Sequence, residues 1–571
     1  MRALFVMNNP GMLRYFDVTV QRLLERGDDV ALAFTRPDIR AEALEGLADF
    51  PLQPRVLGQA PERTDVFAPV AYGLRAAVDF LRYLDPRFAS AEFLRNRRRV
   101  KALEFAPATR WLGTRRTLPR PVARLLVRAL LLLERAVPSS REVERFVREV
   151  DPDVVLVTPL VTGASPQTDY VKSARALGIP SGLCVASWDN LTNKGLVRVV
   201  PDSVMVWNEA QADEAVELHD VPRERVTVTG AQPFDRWFGR TPDKSREAFC
   251  REVGLPPERP FVVFAGSTSN IAKTDLEETF VRAWAEAIRG SGDGGDLGVM
   301  VRPHPERPGQ WDAVDLAGLE DVVIWPPRRP NSVAAEARAD YFESLFHAAA
   351  VVGINTSAMI EAAIIGRPVL TVRAPEFAQA QEGTLHFSYL LPENGGFTQA
   401  AGDLDEHVRQ LAAAVRNPEP ARAEGERFVR AFIRPQGVEE PSTPRLVEAI
   451  TALGGSRPRG PAGVPVWLRP VSGLLWALGH RSRRAERRGQ PEAVRDRARR
   501  VSGPIKGLAL RTRAVAPPVS VTLQRVGDGI ERRGKERSAR VKRDTDARKR
   551  RQLEAKDVRR ATDVPTAVDV D

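Results

Sequence analysis

Four short stretches of the sequence concentrate side chains able to hold an anion or move a proton. Gly266-Ser267-Thr268-Ser269 directly follows the apolar run 261–265. A small, hydroxyl-rich loop lets backbone N–H groups approach a phosphate, although Gly and Ser also close many ordinary strands. Arg302-Pro303-His304-Pro305 follows another apolar run. Two prolines stiffen it, and Arg302 and His304 are both donors for an anion; otherwise the imidazole is a satisfied structural group. Asn355-Thr356-Ser357 stands between the apolar run 351–354 and a helical segment at 358–365. These residue types are good N-caps, and the free N–H groups behind them form an anion site. Glu361 comes one turn later, over the same helix end. There a carboxylate either accepts hydrogen bonds from ribose hydroxyls or compensates the helix dipole. The fourth stretch, residues 187–195, reads SWDNLTNKG. In it Asp189 is a general base or a turn residue, and Lys194 a contact for a phosphate or an acceptor.

Each of these loops needs a strand to present it. Short apolar runs at 3–7, 30–34, 154–157, 182–186, 203–207 and 226–229 alternate with helical segments such as 18–26. A second set lies at 261–265, 298–302, 322–325, 351–354 and 368–372. Such alternation predicts parallel sheets covered on both faces, and ligands bind beyond the C-terminal strand ends of such sheets. The expected fold class is therefore α/β, with two Rossmann-like doubly wound domains facing a cleft. The first spans 1–238, with an Arg-rich helical insertion at about 63–149 between the second and third strands. A polar, proline-containing stretch at 232–245 reads as the linker, and the second domain spans 239–455. Beyond the breaker-rich GGSRPRGPAGVP, residues 456–571 read as a basic, disordered or loosely helical tail.

Composition narrows the function classes. The chain has 571 residues, 43% hydrophobic and 28% charged, so most of it should fold as a globule. Of the net charge of +11, residues 481–571 alone carry +14, and the remainder carries −3. Basicity is thus a tail property, and nucleic-acid binding by the body is not expected. Two cysteines, Cys184 and Cys250, exclude a disulfide scaffold or a cysteine-built zinc module. No apolar run reaches the roughly 20 residues of a spanning helix. The start, MRALFVMNNPG, reads as strand and turn, not a signal peptide. The segment 122–137 is amphipathic, with Arg124, Arg128 and Arg135 in one narrow arc. It is either an ordinary packed helix or an interfacial helix on anionic lipid. The string Asp151-Pro152-Asp153 precedes a strand, the wrong end of a sheet for a site, and no metal site is expected.

Together these loops resemble the GT-B glycosyltransferase fold. The opening unit, ending Leu23-Leu24-Glu25-Arg26-Gly27-Asp28-Asp29-Val30, looks like that fold's first strand-turn-helix. Glu361, Gly366 and Pro368 match the acid, glycine and proline spacing of its nucleotide-sugar enzymes, in which the Glu binds ribose. Within the fold the chain is most similar to CDP-glycerol glycerophosphotransferases and neighbouring capsule transferases. Their "WHGTPLK", "G-x-P-R-x-D", "HP" and Ser-Ser motifs correspond here to residues 188–194, 230–235, 304–305 and 356–357. Asp189 stands where that family has a histidine base; an Asp can do the same work, and the exchange fits sugar transfer equally well.

The resemblance implies a cytoplasmic transferase, peripheral on the inner face of the membrane. It would move a sugar or polyol phosphate from a nucleotide-activated donor to a cell-surface glycan or lipid-linked acceptor, with no cofactor and no bound metal. Ser267, Thr268, Arg302, His304, Asn355, Thr356 and Ser357 would hold the donor's diphosphate side, and Glu361 its ribose. Asp189 would take the acceptor proton, its pKa raised by Trp188, with Asp17 in reserve. Arg14, Trp188 and Lys194 would hold the acceptor. Arg124, Arg128, Arg135 and the basic tail would meet an anionic membrane. The alternatives are a nucleotide-sugar 2-epimerase of the same fold and a non-catalytic scaffold binding membrane or RNA.

Overall fold

The computed structural model describes residues 1–268, 271, 274–292, 294, 296–304, 307–311, 318–327, 335–456 and 460–488, and beyond these only 521, 524, 525, 528 and 532. The basic tail lies largely outside the described residues. Two compact units divide the chain, 1–472 and 473–571, and the first carries both sheets.

The first sheet contains β1 (Arg2–Met7), β2 (Asp29–Phe34), β3 (Arg55–Gln59), β4 (Val154–Thr158), β5 (Ser181–Cys184), β6 (Ser203–Val206) and β7 (Val226–Val228). All are parallel, in the order β3-β2-β1-β4-β5-β6-β7. The second contains β8 (Phe261–Ala265), β9 (Gly298–Arg302), β10 (Val322–Ile324), β11 (Ala350–Gly353), β12 (Val369–Val372) and β13 (Gln399–Ala401), in the order β10-β9-β8-β11-β12-β13. Both orders reverse beside their first strand, which is the switch point at which doubly wound sheets open a crevice. Two Rossmann-like, doubly wound domains therefore form the protein's body.

The central strands are buried on both faces because their side chains alternate between two apolar layers. In β1, Phe5 and Met7 pack beneath α1 (Asp17–Glu25), whereas Leu4 and Val6 belong to the opposite layer. β8 does the same with Val263 and Ala265 on one side and Val262 and Phe264 on the other.

Between β3 and β4 lies the helical insertion: α2 (Ala68–Arg82), α3 (Glu92–Phe105), α4 (Arg120–Ala136) and α5 (Arg141–Val150). It thus follows the third strand, not the second as expected. β3 escapes notice because it is an edge strand whose side chains are half-buried or exposed. A buried ionic cluster holds the insertion down. The Arg75 guanidinium meets Glu134 at 2.9 Å and Asp169 of α6 (Gln167–Leu177) at 2.7 Å, all with under 2% exposed side chains.

Among the described residues the remaining helices are α7 (Asn190–Asn193), α8 (Glu209–His219), α9 (Arg246–Val253), α10 (Thr274–Gly290), α11 (Ala335–Phe346), α12 (Ser357–Ile364), α13 (Leu404–Arg416), α14 (Glu419–Phe428), α15 (Ser442–Gly454) and α16 (Arg469–Arg488). The stretch 232–245 that links the domains is packed: Phe234 and Trp237 are buried in a core cluster that also holds Trp188 and Trp207. Helix α15 returns to the first sheet, where Leu446, Val447 and Ile450 complete the layer under β1. Asp235 anchors its start by accepting from the Ser442 and Thr443 N–H groups at 3.0 and 2.7 Å. Gly230 sits where this return crosses. Its φ is +85°, and a Cβ would collide with the Ser442 hydroxyl.

Candidate functional site

The C-terminal strand ends of both sheets open onto one cleft of about 280 Å³. From the first domain it is lined by Gly11, Arg14 and Tyr15 after β1, Arg40 and Glu42 after β2, and Ser187 and Trp188 after β5. The crossing segment adds Arg236, Trp237 and Arg240. From the second domain come Gly266, Arg302, His304, Arg338, Tyr341, Thr356, Ser357 and Glu361.

Thr356 is the N-cap of α12, with extended backbone (φ −141°, ψ 150°), and its side chain makes no capping bond. The helix therefore presents its positive end to the cleft without a side-chain acceptor across it. Ser357 is exposed there. Glu361, one turn on, accepts a hydrogen bond from the Tyr341 hydroxyl. Burial raises its pKa, and Tyr341, Arg14 and Arg236 only partly offset this. Gly266 brings two loops together: its N–H donates to the Arg302 carbonyl at 2.9 Å, and a Cβ would meet Arg302 O and His304 N at 3.0 Å. His304 lies half-buried on the wall.

Other residues expected on the donor side are turned elsewhere. Arg302 borders the cleft, but its terminal nitrogens donate to Asp340 (2.6 Å) and Ser344, and its guanidinium stacks over Tyr341. It builds the wall that carries Tyr341. Ser267 is fully buried, with its N–H on Glu277 at 2.7 Å, and Thr268 is half-buried; neither lines the cleft. Asn355 is buried and donates to the Ala380 carbonyl at 2.6 Å, holding the following segment in place. Ser269 and Pro305 lie outside the described residues.

On the first domain's side the loop 187–195 is pinned by the insertion. Arg82 donates to the carbonyls of Gly195 (2.7 Å), Lys194 (3.2 Å) and Leu191, and the Tyr83 hydroxyl to that of Lys194 (2.9 Å). Trp188 packs edge-on against His386, ring centroids 4.6 Å apart, and reaches the cleft. Asp189 and Lys194 do not line it; they pair with each other at 3.4 Å. The expectation that Trp188 raises the Asp189 pKa is corrected. Burial does oppose ionisation, but Lys194, His386, Ser187 and Asn190 outweigh it and hold the carboxyl at about 2. Asp17 is not a cleft residue either. It binds Arg236 at 2.6 Å and Arg338 at 3.7 Å, so it orients two cleft arginines. Arg14 is exposed, stacked over the Tyr15 ring at 4.7 Å.

Arg236, Arg240 and Arg338, with Tyr341, are cleft residues that sequence reasoning missed. Arg236 and Arg240 belong to the stretch read as linker, and Arg338 and Tyr341 to one face of α11. Their only local signals are the Arg–aromatic interleaving of RWFGR and the i, i+3 spacing of Arg338 and Tyr341. Burial and then Arg236 depress the Arg338 pKa, with Asp17 opposing. Like charges pressed together in this way are relieved by a bound anion. Among the described residues no three His, Cys, Asp or Glu side chains group as metal ligands. Asp151 and Asp153 instead bind Arg2 at the far end of β4.

No family model and no curated protein matches the sequence. Solved structures with a similar course of the chain include UDP-GlcNAc 2-epimerase from Methanocaldococcus jannaschii. It is 13% identical, with 79% of this chain and 99% of that one covered and a TM-score of 0.46. A glycosyltransferase from Rickettsia africae ESF-5 is 9% identical, over 80% and 99%, with a TM-score of 0.46. UDP-GlcNAc 2-epimerase from Neisseria meningitidis bound to UDP-GlcNAc is 12% identical, over 79% and 100%, with a TM-score of 0.44. The functional reading rests on the cleft itself.

Proposed function

We propose that the cleft binds a nucleotide-diphosphate-activated sugar or polyol phosphate and that the protein transfers the activated group to a hydroxyl acceptor, a cell-surface glycan or a lipid-linked one. The observation that carries this reading is the juxtaposition of an uncapped helix N-terminus with an arginine cluster across one cleft, with Glu361 a turn inside. A diphosphate needs both a dipole end and mobile cations, and a ribose needs an acceptor carboxylate beside them. In this reading Thr356, Ser357 and His304 face the diphosphate, and Arg236, Arg240 and Arg338 neutralise the departing charge. Trp188 and Arg14 border the acceptor. Asp189 takes the acceptor proton once that hydroxyl displaces Lys194, because a carboxylate near pKa 2 is otherwise a poor base at neutral pH.

The test is a panel of nucleoside diphosphates and nucleotide sugars, scored by thermal shift and turnover. A ligand at 100 times its Kd should stabilise the protein by about 2.7 kcal/mol. Transfer should require an added acceptor. Donor isomerised without any acceptor would establish the epimerase instead, and a protein that no nucleotide stabilises would support the scaffold reading.

A further inference from the structure

One face of α4 is exposed and apolar. Relative exposure is 43% at Val122, 68% at Leu125 and 42% at Leu132, and Ala129 between them is exposed too. At ~100° per residue these four fall within an arc of about 80°. Isolated exposed apolar side chains are normal, but a stripe continued over three turns is not. The opposite face carries the packing: Leu126, Val127 and Leu130 lie against Phe80, Leu81 and Leu84. The stripe is therefore spare surface on a helix already anchored.

The charge beside the stripe has one sign. Residues 110–135 contain seven arginines, at 110, 115, 116, 120, 124, 128 and 135, all exposed. The one acid in this span, Glu134, is buried against Arg75 and Lys172. Asp220 meets Arg124 at 3.3 Å and Arg128 at 3.7 Å, which leaves the segment strongly positive. Trp111, 69% exposed, precedes the helix. An apolar stripe with an arginine edge and an indole beside it is complementary to the boundary of an anionic bilayer. Acyl chains cover the stripe, and headgroup phosphates meet the arginines.

We infer that α4 and the segment leading into it form a docking face for an anionic lipid surface, with Val122, Leu125 and Leu132 entering the interface and Arg120, Arg124, Arg128 and Arg135 meeting headgroups. The inference does not depend on the reaction in the cleft.

The experiment uses the full chain and co-sedimentation with vesicles of phosphatidylcholine, with or without 30% phosphatidylserine. Wild type should bind the anionic vesicles and release them as salt rises. The double variant Leu125→Glu/Leu132→Glu should bind them at least about tenfold more weakly while keeping the wild-type melting temperature, since neither side chain packs inward. Arg120→Gln/Arg135→Gln should weaken binding to anionic vesicles alone and flatten the salt dependence. Unchanged binding by the leucine variant would overturn the inference and leave the attachment to the basic tail. A wild-type dimer that the leucine variant dissociates, without vesicle binding in either, would assign the face to a second copy instead.

Discussion

Glu361 is the residue on which the nucleotide reading is most open to measurement. Its carboxylate faces the cleft, supported by Tyr341. Glu361→Ala should weaken nucleotide binding by roughly 1–3 kcal/mol, the scale of a lost charged hydrogen bond, with the fold intact. Calorimetric titration checks it, and unchanged affinity would remove the ribose role. Because burial raises the Glu361 pKa, acidification protonates the carboxylate earlier than an ordinary glutamate. Affinity in the wild type should therefore start to fall above the usual glutamate range, and that fall should vanish in Glu361→Ala. At Asp189 the expectation is kinetic. Asp189→Asn should leave nucleotide affinity near wild type and lower transfer at least ~10²-fold. Wild-type turnover in this variant would mean that the Asp189–Lys194 pair only shapes the loop.

At the scale of elements, the two domains touch through a protonatable contact. Tyr389, in the turn after α12 and β12, donates its hydroxyl to Glu214 of α8. Burial pushes Glu214 up to about 8 although Tyr389 and Arg82 pull it down. The folded protein thus favours the neutral acid. Its contribution to stability is complete below the ordinary glutamate pKa of about 4.3 and is lost as pH rises through about 8. Glu214→Gln keeps an acceptor for Tyr389 and cannot ionise. The variant should melt close to wild type at pH 5 and be more stable at pH 9, by on the order of 5 kcal/mol. A parallel pH dependence in the two proteins would show that Glu214 does not titrate there.

At the largest scale, the two-sheet unit is closed by α15, which leaves the second domain's sequence and completes the first domain's core. A chain ending at residue 455 should unfold cooperatively and bind nucleotide. A chain ending at residue 437 lacks Leu446, Val447 and Ile450 and uncovers the layer under β1 and β5. It should melt at least several degrees lower, bind apolar dyes and lose protease resistance in the first domain, since burying each such side chain contributes about 1.5–3 kcal/mol. Equal stability of the two chains would show the return helix to be dispensable.

Much of the architecture is written locally. Residues 3–7, 261–265 and 351–354 are unbroken apolar runs because both faces of their strands are covered, and no other element fits such short runs beside helical segments. The breakers and caps around Thr356 likewise disclose a helix start, the N-terminus of α12. Edge strands carry no such pattern: β3 is half solvent-facing, so the place of the insertion had to come from the fold. The same holds for the direction of polar side chains. Arg302, Asn355 and Ser267 are of the right type at the right strand ends, yet their hydrogen bonds run to Asp340, Ala380 and Glu277, partners 38, 25 and 10 residues away. Conversely, Asp17, Arg236 and Arg338 meet across more than 200 residues of chain. Periodicity and capping are short-range consequences of backbone geometry, so the sequence alone determined the central strands, the start of α12 and the strand ends at which a cleft opens. Which charged side chains line that cleft depends on pairings between distant segments, and only the tertiary structure decided it.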